Sequence, residues 1–119
     1  MRPTASTTTY SRGDVVLVPF PFTNQRGSRY RPGLIVSNDY YNRATTDVII
    51  AQVTGNVTGR PRVGDHHITQ WQQSGLRAPS LVRAKLATIE CSILGPIIGQ
   101  MPTPEVRQVE ANLKGVMDL

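Results

Sequence analysis

Three arginines fall within six residues of one segment, at Arg26, Arg29 and Arg31 of PFPFTNQRGSRYRPG (19–33), and two more, Arg60 and Arg62, stand in GNVTGRPRVG (55–64). A guanidinium presents a rigid fork of donors that matches phosphate oxygens in pairs. Five of them on two loops suit a phosphate-bearing ligand if folding brings the loops together; if not, they are solvated loop charges. Arg31 stands apart from its neighbours, because Pro32 confines its backbone to extended conformations and an apolar strand follows. Its side chain is held at a defined place, as a site residue must be.

Other residues could join such a site. Thr54 closes an apolar segment just before Gly55, where a strand-end hydroxyl can face a cleft, although a lone threonine is most often only a strand former. Arg83 lies inside the apolar stretch SLVRAKLATI (80–89), so it must either face solvent or pair with something, and Lys85 shares its face by the two-residue period of a strand. His66 and His67 are adjacent, so in a strand they point to opposite faces and cannot chelate one ion together; no metal site is expected. Trp71, Tyr40 and Tyr41 can stack on bases or simply pack. The chain carries no Walker loop, no GxSxG, no paired acidic motif and no Cys/His nucleophile arrangement.

The elements that must position these residues follow from the apolar pattern. GDVVLVPF (13–20), PGLIVSN (32–38), DVIIAQVT (47–54) and SLVRAKLATI (80–89) read as buried strands, and DHHITQW as a short one between the last two. Pro32 is placed at the first position of its strand, where a missing N–H is tolerated. NDYYNRATTD (38–47) reads as a polar turn and ECSILGPIIG as a turn-like element. One helix is expected at the end, with Thr103 as cap, Pro104 and Glu105 in the first turn, and Val106, Val109, Leu113, Val116 and Met117 on the buried face. Five short strands and a terminal helix predict a mainly β fold, a small curved or barrel-like sheet.

A chain of 119 residues fits a single core. Residues 1–12 read as a flexible polar tail and 13–119 as the domain. No apolar run approaches the roughly 20 residues that cross a bilayer and no signal pattern opens the chain, so a cytoplasmic protein without a membrane partner is expected. Cys91 is alone, which excludes a disulfide framework and suggests a small buried side chain. The formal charge is +5, with only two lysines, Lys85 and Lys114, among 13 basic residues. That balance favours an anionic partner, although a coding bias from lysine to arginine would give the same composition.

Taken in order, GDVVLVPFPFT, the Arg-rich segment, RPGLIVS, the pair Tyr41 and Asn42, VIIAQVT and PSLVRAKLATIE resemble the MazF/PemK (Kid) family of toxin endoribonucleases over residues 13 to about 118. The resemblance implies an SH3-like barrel with a C-terminal helix, acting as a homodimer that cuts single-stranded RNA at short preferred sequences. It also implies no metal or other cofactor, 2′-OH attack leaving a 2′,3′-cyclic phosphate and a 5′-OH, and a cognate antitoxin whose disordered tail fills the RNA site. The family's catalytic arginine before proline falls on Arg31, its catalytic threonine on Thr54, and the fifth-strand arginine of Kid-like members on Arg83. Arg26, Ser28, Arg29, Arg60, Arg62 and Lys85 are then taken as RNA-binding. An arginine is a poor general base near neutrality, so Arg31 and Arg83 are read as electrostatic clamps and Thr54 as a hydrogen-bond donor to the phosphate.

The sequence departs from the family where acids are concerned. Many members carry Gly-Ser-Glu-Gln before the Arg-Pro, whereas this chain has NQRGSRYR, and VRAKLATIE lacks the Asp that follows the arginine in Kid-like members. A non-catalytic module binding RNA or antitoxin on the same barrel is the alternative. A gyrase poison of the CcdB type, which shares the architecture, relies on a C-terminal Trp-Gly-Ile; this chain ends in VMDL.

Overall fold

A computed structural model describes residues 9–19 and 30–119. The valine- and isoleucine-rich segments form β1 (Asp14–Pro19), β2 (Tyr30–Ile35), β3 (Asp47–Thr54) and β5 (Leu81–Glu90), with the short β4 (His66–His67) and β6 (Ile97–Gln100). All pair antiparallel in one curled, half-barrel sheet of order β4-β5-β3-β2-β1-β6. The mainly β fold with a terminal helix, α2 (Thr103–Met117), is therefore as expected, with six strands rather than five.

Alternation splits the apolar residues between two cores. Val15, Leu34, Ala51, Val53 and Val82 pack beneath Val106, Val109 and Leu113 of α2, while Val16, Val18, Ile35, Val48, Ile50 and Ile89 pack together on the other face with Tyr10 and Leu94 against them. The β1 valines are fully buried, worth roughly 1.5–3 kcal/mol each. They are thus unavailable to a partner subunit.

Several local expectations are corrected. The polar turn after β2 contains a short helix, α1 (Asp39–Ala44), because Asn38 caps it by accepting the Tyr41 backbone N–H at 2.7 Å. Pro32 is the third residue of β2, not the first. Its partner Leu17 turns its own N–H and C=O toward the 95–96 segment, so the prolyl nitrogen points away from β1, on the side where the ladder to β3 has already ended at Gly33. The cap of α2 is Pro102, with no side-chain cap bond, and Thr103 is its first residue. Val116 and Met117 are half exposed, so the buried stripe of α2 stops at Leu113. Cys91 is half-buried; burial, then the charges of Asp47 and Glu90, push its thiol up.

The chain is engaged ahead of Gly13. Arg12 donates from Nε to the Val36 carbonyl at 2.8 Å and pairs through Nη1 with Glu110 of α2 at 2.9 Å, while its backbone N–H reaches Asp39. Asn42 donates to the carbonyls of Tyr10 and Ser37, both at 3.2 Å, and Ser37 accepts the Ile49 N–H. The Tyr41–Asn42 pair is thus a structural latch between the N-terminal segment and the β2–β3 connection.

The sixth strand was obscured by its glycine. At Gly99 a Cβ would lie 2.3 Å from the Ser74 carbonyl oxygen, and at Gly75 (φ +83°) one would lie 2.0 Å from that of Ile98: two backbones cross in contact. Gly99→Ala should therefore destabilise the fold by about 1–3 kcal/mol or more. Gly115, inside α2 with nothing near its missing Cβ, should gain about 0.5–1 kcal/mol as alanine. Thermal unfolding of both variants checks the opposite signs.

Candidate functional site

Strand register decides which side chains share a face. Gly33 of β2 lies opposite Gln52 of β3, Gln52 opposite Arg83 of β5, and Thr54 opposite Leu81. Continuing the β2–β3 register by two residues sets Arg31 against Thr54. Since Leu34, Ala51, Val53 and Val82 belong to the core under α2, alternation places Arg31, Gln52, Thr54 and Arg83 on the opposite face. Arg83 and Arg31 stand two strand spacings apart and two residues offset along the strands, about 12 Å between backbones.

Each side chain is held differently. Arg31 is half-buried, and its Nε is buried without a hydrogen-bond partner among the described residues. An unsatisfied buried donor costs about 1–3 kcal/mol, so this one is poised to gain an acceptor. Thr54 Oγ1 accepts the Asn56 N–H at 3.1 Å, which leaves its own O–H to donate. Arg83, by contrast, is already engaged: Nε and Nη2 bind Oδ1 and Oδ2 of Asp65, both at 3.1 Å, in an ion pair whose side chains are only 12% and 6% exposed.

Asp65 also closes its own loop. Its Oδ2 accepts the Arg62 backbone N–H at 2.9 Å, and its N–H returns to the Arg62 carbonyl. Burial alone would push this carboxyl up, but the Arg83 and Arg62 hydrogen bonds and their charges outweigh it and hold it below the ordinary carboxylate range. Arg62 is therefore carried beside Arg83, and Arg60 lies exposed two residues earlier on the same loop. Sequence reasoning missed Asp65, yet an arginine in an apolar strand demands a partner, and continuing the His66–Val82 register by one residue sets Asp65 opposite Arg83.

The remaining candidates divide. Arg26, Ser28 and Arg29 lie outside the described residues. Lys85 falls, with Ala84, in the register shift between Leu86 and Arg83, so it sits in a bulge rather than in the ladder beside Arg83. The two histidines do face opposite ways. His66 Nε2 meets Glu105 Oε1 at 2.7 Å under α2, and His67 is exposed opposite Leu81. Trp71 packs against the α2 core, Tyr41 lines the groove beside α2, and Tyr40 is exposed.

Glu105, placed by sequence as a helix-end charge, is buried and accepts the backbone N–H groups of Thr69 and Gln70 at 2.9 and 2.8 Å besides facing His66. Burial raises its pKa, and these hydrogen bonds more than reverse the shift. With folded pKa values depressed, Glu105 and Asp65 contribute stability that is present above their unfolded pKa values and lost as pH falls through the folded ones. The unfolding free energy should therefore drop below the ordinary carboxylate range. Glu105→Gln should flatten that drop while costing about 1–3 kcal/mol at neutral pH, as measured by denaturant titration across pH.

A family model described as PemK-like, MazF-like toxin of type II toxin-antitoxin system matches residues 11–117. Among solved structures, the chain is similar to an endoribonuclease in complex with its cognate antitoxin from a Mycobacterial species (21% identity, TM-score 0.74, 95% of this chain and 97% of that one). It is also similar to the Mycobacterium tuberculosis toxin MazF-mt6 (21%, 0.70, 89% and 97%) and to MazF from Deinococcus radiodurans (18%, 0.72, 95% and 100%). No curated protein matches it in sequence.

Proposed function

The chain belongs to the PemK-like, MazF-like toxins of type II toxin-antitoxin systems, and from that membership we propose that it is a metal-independent, sequence-selective endoribonuclease acting on single-stranded RNA. The observation that carries the reading is the buried Nε of Arg31, unpartnered among the described residues, which the continued β2–β3 register sets beside a strand-end hydroxyl on Thr54 that accepts the Asn56 N–H and has its own proton to donate. Two donors on one face of neighbouring strands, one of them without an acceptor among the described residues, suit a phosphate.

In this reaction the ribose 2′-oxygen attacks the adjacent phosphorus while the bond to the 5′-oxygen breaks. The 2′-OH proton leaves to solvent, and the departing 5′-oxygen takes one up. The ends are a 2′,3′-cyclic phosphate and a 5′-OH. Negative charge builds on the non-bridging phosphate oxygens, where Arg31 and Thr54 donate and Arg83 adds positive potential; fixed donors lower such a barrier without reorganising. Arg60, Arg62 and Lys85, with Arg26, Ser28 and Arg29, hold the RNA backbone on either side. Cutting messenger RNA in the cytoplasm would arrest translation and growth.

Arg31→Ala or Thr54→Ala should each slow cleavage by on the order of a hundred- to a thousandfold, read on a mixed-sequence RNA in the presence of a chelator with end-group mapping of the products. Cleavage that is indifferent to Arg31→Ala would sink the assignment. RNA binding without any cut would instead support a catalytically silent module binding RNA or antitoxin, which the occupied fork of Arg83 gives some ground for.

Two protein partners follow. A similar structure is an endoribonuclease bound to its cognate antitoxin, and an acidic antitoxin tail would compete with RNA for the same arginines. A second copy of the chain is the other: β6 is an edge strand, and Ile93, Ile97 and Tyr30 near it are 47%, 40% and 52% exposed, an apolar strip suited to a two-fold contact. Light scattering should give twice the chain mass, and Ile97→Lys should halve it.

A further inference from the structure

We infer that Asp65 is a positioning residue: it orients Arg83 for the RNA phosphate and locks the arginine-bearing 55–65 loop to the same point. This rests on the nuclease reading for its substrate, but its geometry stands independently. The carboxylate takes the Nε and Nη2 side of the guanidinium, and a planar guanidinium held by that edge cannot rotate about its last bonds. What remains is the Nη1 end and the second Nη2 hydrogen, a complete edge able to grip a phosphate. No hydrogen bond engages Nη1 among the described residues.

The same carboxylate oxygen that binds Nη2 accepts the Arg62 backbone N–H, and Asn112 of α2 approaches the Gly64 and Asp65 carbonyls at 3.4 Å. One buried carboxylate therefore sets both the strand cation and the loop cations. It is unsuited to proton transfer, since three hydrogen bonds from Arg83 and Arg62 favour its ionised form. Without it, Arg83 would retain its charge but lose its aim, and the 62–65 turn its closure.

A double-mutant cycle on the full chain tests this, with wild type, Asp65→Ala, Arg83→Ala and the double variant. Cleavage is read on a single-stranded oligoribonucleotide, binding on its 2′-O-methyl counterpart, which lacks the nucleophile, and folding by thermal melts. Asp65→Ala should lower kcat/KM by roughly 10- to 100-fold, mostly in kcat, and weaken binding less. It should cost little more once Arg83 is already alanine, because residues acting as a unit are non-additive. Asp65→Asn, which keeps the side-chain volume, should lose activity with an unchanged pH profile.

Full additivity of the two losses, or wild-type activity in Asp65→Ala, overturns the positioning role. A shifted acidic limb in Asp65→Asn does so too, since it would make Asp65 a proton carrier. If wild type cuts no RNA, the nuclease reading falls by itself. Non-additive losses in affinity for the 2′-O-methyl strand would still uphold Asp65 as the residue that aims Arg83, and additive ones would overturn it. Should Asp65→Ala fail to melt cooperatively, Asp65→Asn carries the same cycle.

Discussion

The register of β2, β3 and β5 is the constraint on which the rest of this molecule depends. A slip of one residue exchanges the faces of a strand, which would send Arg31, Thr54 and Arg83 into the core under α2 and turn Leu34, Val53 and Val82 away from it. The hydrophobic effect therefore fixes the polar face indirectly: burial of each valine and leucine determines where its neighbour must point. The local device that bends this register is the shift at Ala51/Gln52, where β5 carries two extra residues, Ala84 and Lys85, between the positions facing these two. Because the insertion is two residues long it keeps the parity of β5, so Arg83 stays on the face of Ala87 and the buried Ile89.

Buried charge is used twice, in contrasting ways. Glu105 is satisfied by two backbone N–H groups and His66, so it joins the start of α2 to the 66–70 segment with every bond directed inward. Asp65 is satisfied by an arginine that keeps part of its donor set free. Breaking either would strand an ion or its partners in a poorly solvated place, which costs far more than a surface pair is worth. The two carboxylates thus hold the same connection at its two ends, one against the helix and one against the sheet.

Much of this was legible in the sequence. DVIIAQVT coincides with β3, since a continuous apolar run with a turn on each side has few alternatives, and the order of motifs from GDVV to LATIE carried the family. What escaped depended on contacts distant in sequence. β6 is short, contains Gly99 and pairs with β1 far earlier in the chain, so nothing local distinguishes it from a turn. The carboxylate beside Arg83 does not come from β5: Asp65 reaches it across a strand pair from eighteen residues earlier. Lys85 was assigned by a period of two that the register shift interrupts.

These placements bear on how the proposed reaction moves protons. The arginines are too basic to accept one near neutrality, and Asp65 is held in its ionised form by the hydrogen bonds and charges of Arg83 and Arg62. His67 shares the row of Thr54 but stands two strand spacings from it, about 10 Å, which sets it at the rim rather than beside the phosphate. The face is accordingly built to stabilise charge: a half-buried arginine with an unpaired donor, a hydroxyl already oriented by Asn56, and a second arginine clamped at one edge. In the proposed reaction such a site would accelerate transesterification by making the phosphate oxygens less costly to charge, with water able to carry the protons. On that reading the acids absent from the first loop and from β5 would be no loss to the chemistry, because the proposed task of the carboxylate this fold does supply is aim.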